Sequence, residues 1–396
     1  ELARKLPGFR GTIERRNKMI YFDHAATTPV DADVRAAITD TLENVYGNPS
    51  SLYQKGREAR QLVDEARRIL AQSIQAKPED LIITSGATES NNTAIIGTAL
   101  ALKDKGKHLI TTAIEHHSVL HPMQYLETLG FEVTYLPVDA TGRVTARQVA
   151  EALRPDTILV SIIYVNNEVG SINPIEEIGA VVAGHPAYFH TDAVQAYGAL
   201  PIDVEAAHID MLATTAHKIN GPKGIGFLYR RNELHLPNYL HGGTQENDHR
   251  AGTENTAYIH GFATAVRKML QNREADDTHK KALRGYFLSQ LQEKNVAYSL
   301  NGDSETVVPH ILSIWFPFLK SDKFLIQCDL KGIMISAGSA CTAGSLEPSH
   351  VLTAMFGTEA TRIGESVRIS FGATNTLEEI AIFVEMIASL QAQYIN

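Results

Sequence analysis

Cysteine is scarce in this chain of 396 residues: only Cys328 and Cys341 occur. Two cysteines are too few for a disulfide-stapled scaffold, and their spacing matches no zinc or iron–sulfur arrangement. No metal site is therefore expected, and a reducing, cytoplasmic setting fits. Long hydrophobic runs are missing too. No stretch of about 20 apolar residues occurs, so no membrane partner or membrane-spanning helix is expected. Excess positive charge is also absent, since 36 Lys and Arg face 45 Asp and Glu for a net charge of −9. That balance argues against direct nucleic-acid binding. Internal repeats and low-complexity segments are not found.

What remains is long enough for one large core or two domains. Residues 1–18 are rich in Arg and Lys and lack the apolar stretch of a secretory signal. They are read as a leader outside the fold, with a native basic arm as the alternative. From Met19 onward, strand-like and helix-like segments alternate. Strands are expected at Ile20–Phe22, Leu81–Thr84, His108–Thr111, Glu132–Leu136, Thr157–Tyr164, Ala187–Thr191 and Met211–Ala216. Helices are expected at Asp31–Glu43, Arg57–Ser73, Asn91–Leu102, Val119–Leu129 and Tyr258–Glu274. In the second of these, Leu62, Ala66 and Leu70 recur at i, i+4 and i+8. The rhythm predicts an α/β protein with a mostly parallel sheet covered by helices. Ligands of such sheets sit at the carboxyl ends of the strands. After about Thr256 the rhythm changes, which marks a second, smaller domain.

Polar clusters fall where those strands end. Lys218 follows the strand Met211–Ala216 and precedes the turn Gly221-Pro222-Lys223-Gly224. A lysine held in such a corner could be a Schiff-base nucleophile, or simply an exposed loop residue. Thr84 to Asn91 runs from a strand into a helix N-terminus, which suits a phosphate or plain capping. Asp192 could cap the next helix, or pair with a pyridinium nitrogen in an enzyme of pyridoxal 5'-phosphate (PLP). Glu115-His116-His117-Ser118 offers an imidazole for stacking or proton transfer, or simply two solvent-exposed histidines, with no third ligand to suit a metal. Asn166-Asn167-Glu168 forms an amide-rich loop. Ile335 to Ser345 is a run of small residues around Cys341. No apolar neighbour would bury that thiol, so it is a candidate nucleophile on a mobile loop. Cys328, in the apolar stretch Phe324–Leu330, reads as packing.

Together these stretches resemble the cysteine desulfurases of the NifS/IscS-like branch, within the class V aminotransferase group of PLP enzymes. The resemblance is carried by Tyr21-Phe22-Asp23-His24-Ala25-Ala26-Thr27-Thr28-Pro29, Gly47-Asn48-Pro49-Ser50-Ser51, the Thr84–Ser90 run, Val165–Glu168, His217-Lys218 and Gly338-Ser339-Ala340-Cys341. The long Cys341 loop is similar to that of group I. The resemblance implies PLP-dependent transferase fold type I. The large PLP-binding domain would span 33–264. A smaller α+β domain would be made of 19–32 and 265–396.

It also implies roles. Lys218 would hold PLP covalently, His116 would stack on the ring and move protons, and Asp192 would pair with the ring nitrogen. Gln195 and Asn167 would lie near the phenolic oxygen or substrate, and Ala87, Thr88, Thr215 and His217 would bind the phosphate. Thr253 would reach the phosphate of a partner subunit in a homodimer. Arg368 would take the substrate carboxylate. L-cysteine would become L-alanine, with its sulfur held as a persulfide on Cys341. That sulfur would pass to an acceptor protein, either a scaffold for iron–sulfur cluster assembly or a tRNA-thiolation enzyme. A selenocysteine lyase or another class V enzyme is the alternative. Tyr53 and the Gln245-Glu246-Asn247 stretch depart from the common pattern, which puts loop contacts in question and not the chemistry.

Overall fold

The computed structural model of the protein describes residues 19–338 and 348–395. Strand β1 (Ile20–Tyr21) leads to helix α1 (Ala32–Asn44), whose N-cap Asp31 accepts a hydrogen bond from the Asp33 N–H at 2.8 Å. In α2 (Gln54–Gln72) the buried residues Ala59, Val63, Ala66 and Leu70 recur every three or four positions, as one packed helix face requires. Leu62 sits half-buried at the edge of that stripe. Steps of four residues overshoot a 3.6-residue turn, so a strict i, i+4, i+8 series drifts off the face.

Strands and helices then alternate: β2 (Leu81–Thr84), α3 (Ala87–Leu102), β3 (His108–Thr112), α4 (His117–Thr128), β4 (Glu132–Leu136), α5 (Ala146–Ala152), β5 (Thr157–Ser161), α6 (Ile175–Val182), β6 (Tyr188–Asp192), β7 (Met211–Thr215) and β8 (Gly226–Arg230). The seven strands from β2 to β8 form one sheet in the order β2-β8-β7-β6-β5-β3-β4. Neighbours pair in parallel except at β8, which is antiparallel to both β2 and β7. Every residue of β3, β5 and β7 is buried, because helices cover both faces of a parallel sheet. Ile110, Val160, Phe189 and Leu212 belong to the core on one face; Leu109, Leu159, Met211 and Leu228 belong to the core on the other.

The single turn α7 (Gln245–Asp248) contains Glu246 and Asn247 with φ of 51° and 55°. It is fixed from below. The Glu246 carboxylate is buried and accepts hydrogen bonds from Arg67 Nη2 at 2.7 Å and Ile83 N at 2.8 Å.

Helix α8 (Thr256–Glu293) runs 38 residues, well past the expected end at Glu274. Its apolar residues belong to two cores. Ile259, Phe262 and Val266 pack with the large sheet, and Leu283, Phe287 and Leu291 pack in a second core. Between them the chain is polar, so apolar periodicity lapses while the helix continues. Ion pairs one turn apart support that stretch, including Lys281 to Asp277 at 2.6 Å. The expected boundary at residue 264 therefore falls inside a continuous helix.

The second core gathers β9 (Ser299–Asn301), β10 (Ile311–Trp315), α9 (Ser321–Leu330), β11 (Ile333–Met334), β12 (Ser366–Ser370) and α11 (Leu377–Ile395), whereas α10 (His350–Phe356), between β11 and β12, packs in a smaller cluster with Ile114 and Ile163. Strands β12, β10 and β9 form an antiparallel sheet in that order, and β1 pairs in parallel with β11. Phe22 and the fully buried Cys328 lie in this core, where burial pushes the Cys328 thiol up to about 12. Among the described residues no helix is long and apolar enough to cross a membrane.

Arg67→Ala leaves the Glu246 carboxylate buried without its countercharge. Unfolding in denaturant is expected to show a loss of about 3–5 kcal/mol. A loss below about 1 kcal/mol, typical of an exposed pair, would contradict this account of the Gln245–Asp248 turn.

Candidate active site

The carboxyl ends of β2, β5, β6 and β7 surround a cavity of about 370 Å³. Lys218 reaches it from a 3-10 turn, Ala216–Lys218, directly after β7. This corner is tightly built. Asn220 has a φ of 64°, and a Cβ on Gly221 would lie 2.7 Å from the Ala216 Cβ, so only glycine fits there. The Lys218 amine donates to the carbonyls of Ala25 at 2.5 Å and Ala26 at 2.7 Å. Thr28 donates through both its N–H and its hydroxyl to the His217 carbonyl, each at 2.9 Å.

Asp192, the last residue of β6, is buried on the cavity wall. Its Oδ1 accepts from the Val194 N–H at 3.0 Å and its Oδ2 from Asn91 Nδ2 at 2.7 Å. Asn91 Nδ2 also donates to Ser118 Oγ at 2.8 Å, and that hydroxyl lies 2.8 Å from His116 Nδ1. The Ser118 N–H donates to the same Nδ1 at 3.1 Å. An Nδ1 that accepts a backbone N–H carries no proton, so the neutral ring holds its hydrogen on Nε2. Burial lowers the His116 pKa, and Lys218 lowers it further against the pull of Asp192. Burial pushes the carboxyl of the neighbouring Glu115 up to about 8.

At the other end of the cavity, α3 begins at Ala87 after Gly86, whose φ is 142°. A Cβ on Gly226 would come 2.9 Å from the Gly86 Cα, so the antiparallel strand β8 presses on this turn. Ala87, Thr88, Thr215 and His217 all line the cavity. The first N–H groups of α3 have no partners within the helix and favour an anion. Burial, with Lys218 and Lys223 nearby, lowers the His217 pKa to about 4.

Arg368 in β12 also lines the cavity. It donates to the Asn167 carbonyl at 2.9 Å and to Asp23 Oδ1 at 2.8 Å, while its buried Nε has no partner. Gln195 donates to the Ala25 carbonyl at 2.9 Å.

Lys218, His116, Asp192, Gln195, Asn167, Ala87, Thr88, Thr215, His217 and Arg368 are thus brought together on one cavity. Thr253 is not among them: it is exposed and lines an adjoining groove with Arg250 and Gly252, which shares Ser85 and Gly224 with the cavity. Cys341 lies outside the described residues. Sequence reasoning missed Asn91, Ser118 and Asp23 as supports. Asn91 and Ser118 each fall at the end of a polar cluster read from the sequence, but without a role of their own there.

The model of the class-V aminotransferase family matches residues 20–383. The chain belongs to the class-V aminotransferase family. The putative cysteine desulfurase IscS 1 of Bacillus subtilis is 50% identical over 371 residues, covering 94% of this chain and 98% of that protein. The cysteine desulfurase IscS of Methanosarcina thermophila is 42% identical over 378 residues, covering 96% and 93%. Among solved structures, a NifS-like protein superposes with a TM-score of 0.88 at 34% identity, covering 95% of this chain and all of that one. SspA in complex with cysteine superposes with a TM-score of 0.80 at 37% identity, covering 90% of this chain and all of that one.

Class-V aminotransferases depend on PLP, and so does this chain. The residues present fit that group. One cavity offers an amine at Lys218, a buried carboxylate at Asp192, an imidazole wall at His116 and a helix N-terminus at Ala87 and Thr88.

In cofactor-free protein, His217 is expected to stay neutral as pH falls through 6.5 and to protonate only near pH 4. A phosphate anion bound beside it favours the charged ring and raises that midpoint. Histidine NMR titration with and without inorganic phosphate reads both effects. A midpoint near 6.5 without phosphate would refute the burial argument.

Proposed function

We propose that the protein is a cysteine desulfurase that converts L-cysteine to L-alanine and carries the sulfur as a persulfide on Cys341. The observation that carries this reading is the convergence of Lys218, Asp192 and Arg368 on one cavity, in a chain whose relatives bear that activity in their names.

When bound, PLP supplies an electron sink that makes the Cα proton of an attached amino acid removable. Lys218 would anchor that group, and its amine, when free, would take the Cα proton. Asp192, held by Asn91 and Val194, keeps a proton on the pyridine nitrogen. His116, with its N–H on Nε2, would border the ring. Ala87, Thr88, Thr215 and His217 hold the phosphate. Arg368 takes the substrate carboxylate, with Nε still unpartnered and Asp23 holding the guanidinium in place. Asn167 and Gln195 border substrate and ring oxygen.

Cys341 thiolate then attacks the cysteine sulfur. One S–S bond forms and one C–S bond breaks. Carbon keeps the bonding pair, and a proton added at Cβ completes alanine. The persulfide passes to an acceptor protein, a scaffold for iron–sulfur assembly or a tRNA-thiolation enzyme, in the cytoplasm. Thr253, exposed and absent from the lining of its own cavity, would serve the phosphate of a second copy in a homodimer.

Asp192→Asn is expected to retain PLP and to turn over slowly. An amide does not hold the ring proton, and losing a charge-assisted bond costs on the order of 1.5–3 kcal/mol. That is about one to two decades in rate. Alanine release against PLP content measures it, and wild-type turnover would reduce Asp192 to a helix cap.

Cys341→Ser should keep PLP but form no persulfide, because a hydroxyl does not accept the sulfur atom. Cys328→Ser should stay active, with some stability lost to a buried hydroxyl. Each protein is incubated with cysteine and its peptides weighed without reductant. One sulfur gained on the Cys341 peptide supports the scheme. A persulfide on Cys328, or full activity in Cys341→Ser, would overturn it.

A further inference from the structure

Among the described residues that line the cavity, only Asp192 and Glu89 carry carboxylates. Asp192 serves the ring nitrogen. Glu89 has no role in the chemistry above, and it lies at the other end, in the first turn of α3. Ala87 and Thr88, assigned to the phosphate, belong to the same turn. Unpaired N–H groups and the helix dipole draw a phosphate to such a turn, but a carboxylate fixed in it repels one. Two anions thus compete for one helix end.

Glu89 is held firmly in that place. Its Oε2 accepts from the Ser85 N–H at 2.7 Å, much as an acidic residue at the third helical position reaches back toward the cap. Its side chain is only 9% exposed. Burial pushes the carboxyl up, but hydrogen bonds from Arg250 and Ser85 outweigh burial and hold it below the usual carboxylate range. The group is therefore ionised at neutral pH.

Its countercharge comes from a distant part of the chain. Arg250 donates from Nε to Glu89 Oε1 at 2.9 Å and from Nη2 to Oε2 at 3.4 Å, a two-point contact of guanidinium on carboxylate. The remaining Nη1 donates to the Ala251 carbonyl at 3.1 Å. Gly252 has a φ of 114°, and a Cβ there would lie 3.0 Å from the same Nη1, so glycine lets the guanidinium lie across its own loop. Arg250 lines the adjoining groove and not the cavity. It bears on the cavity through Glu89.

We propose that Arg250 is a positioning residue that sets the preference for a phosphorylated cofactor: by pairing with Glu89 it cancels the carboxylate charge in the first turn of α3, so that this turn accepts a phosphate. This rests on the reading of Ala87 and Thr88 as holders of that phosphate. Arg250 touches neither cofactor nor substrate in this role and exchanges no proton with them.

The test strips the full-length protein of cofactor and titrates it with PLP and with pyridoxal, which lacks the phosphate. Absorbance reads binding of both. Arg250→Met should weaken PLP binding by roughly 10- to 100-fold, the scale on which one neighbouring charge shifts an equilibrium, while pyridoxal binds as in the wild type. Arg250→Lys keeps the positive charge, and Glu89→Gln with Arg250→Met removes both charges, so each should recover most of the preference. Glu89→Gln alone should bind PLP at least as tightly as the wild type. Should Arg250→Met fail to fold, Glu89→Gln and the double variant carry the comparison. Wild-type PLP affinity in Arg250→Met would overturn the proposal, as would equal weakening of PLP and pyridoxal, which marks a disturbed fold. Weaker PLP binding in Glu89→Gln, or a double variant that has lost the preference for PLP, would overturn it too. Thr88→Val in the same titrations separates the two readings. An unchanged preference there removes the phosphate site at α3, whereas a lowered one beside an unaffected Arg250→Met removes only the role of Arg250.

Discussion

The site depends first on how the short loop from Asp23 to Thr28 is bonded to everything around it. Its carbonyls take the Lys218 amine, and Thr28 is joined to the His217 carbonyl and the Asn220 N–H. Its Ala25 N–H donates to Ser370 Oγ, and Asp23 pairs with Arg368. Phe22, just before it, is buried in the second core. One loop therefore orients a lysine from the large sheet and an arginine from the small sheet. Most of these bonds run through backbone groups, so they depend on the path of the chain more than on side-chain identity. A shift of this loop would move both cations at once.

The alternating chain pattern was legible because burial and period agree. Strands β2, β3, β4 and β7 lie within a residue of their expected bounds; β2, β3 and β7 are buried throughout, as cover on both faces requires, whereas β4 sits at the sheet edge and is mostly half-buried. The strand expected through Tyr164 stops at Ser161. Ile162 to Tyr164 keep strand-like burial, and the N–H groups of Ile162 and Tyr164 still donate to β6, at the His190 and Asp192 carbonyls. Helix α3 begins at Ala87 and not Asn91, since the polar run Thr88–Asn91 forms its first turn at the cavity. Helix α8 was cut short in the sequence reading because a helix between two cores needs no apolar stripe in its middle.

Of the site, the charged and ring-bearing groups were readable from their places at strand ends. Their supports were not. Asn91 joins Asp192 to Ser118 across two helices, and no spacing along the chain announces a bond between residues 27 and 101 positions apart. The same holds for Asp23 with Arg368, which meet only because β1, β11 and β12 come together. Function written at a strand end can be read locally, whereas the bonds that hold it are a property of topology.

Helix α8 spans both cores without a proline and is roughly 57 Å long at 1.5 Å per residue. A hinge between the two cores would have to bend this rod, breaking successive backbone hydrogen bonds in a stretch already braced by Lys281 and Asp277. The molecule is thus framed like a beam with a load at each end. Small changes in side-chain rotamer or loop path are cheap in such a frame, while wide parting of the ends is not, so passage of a small amino acid to the cavity falls to the loops at its rim.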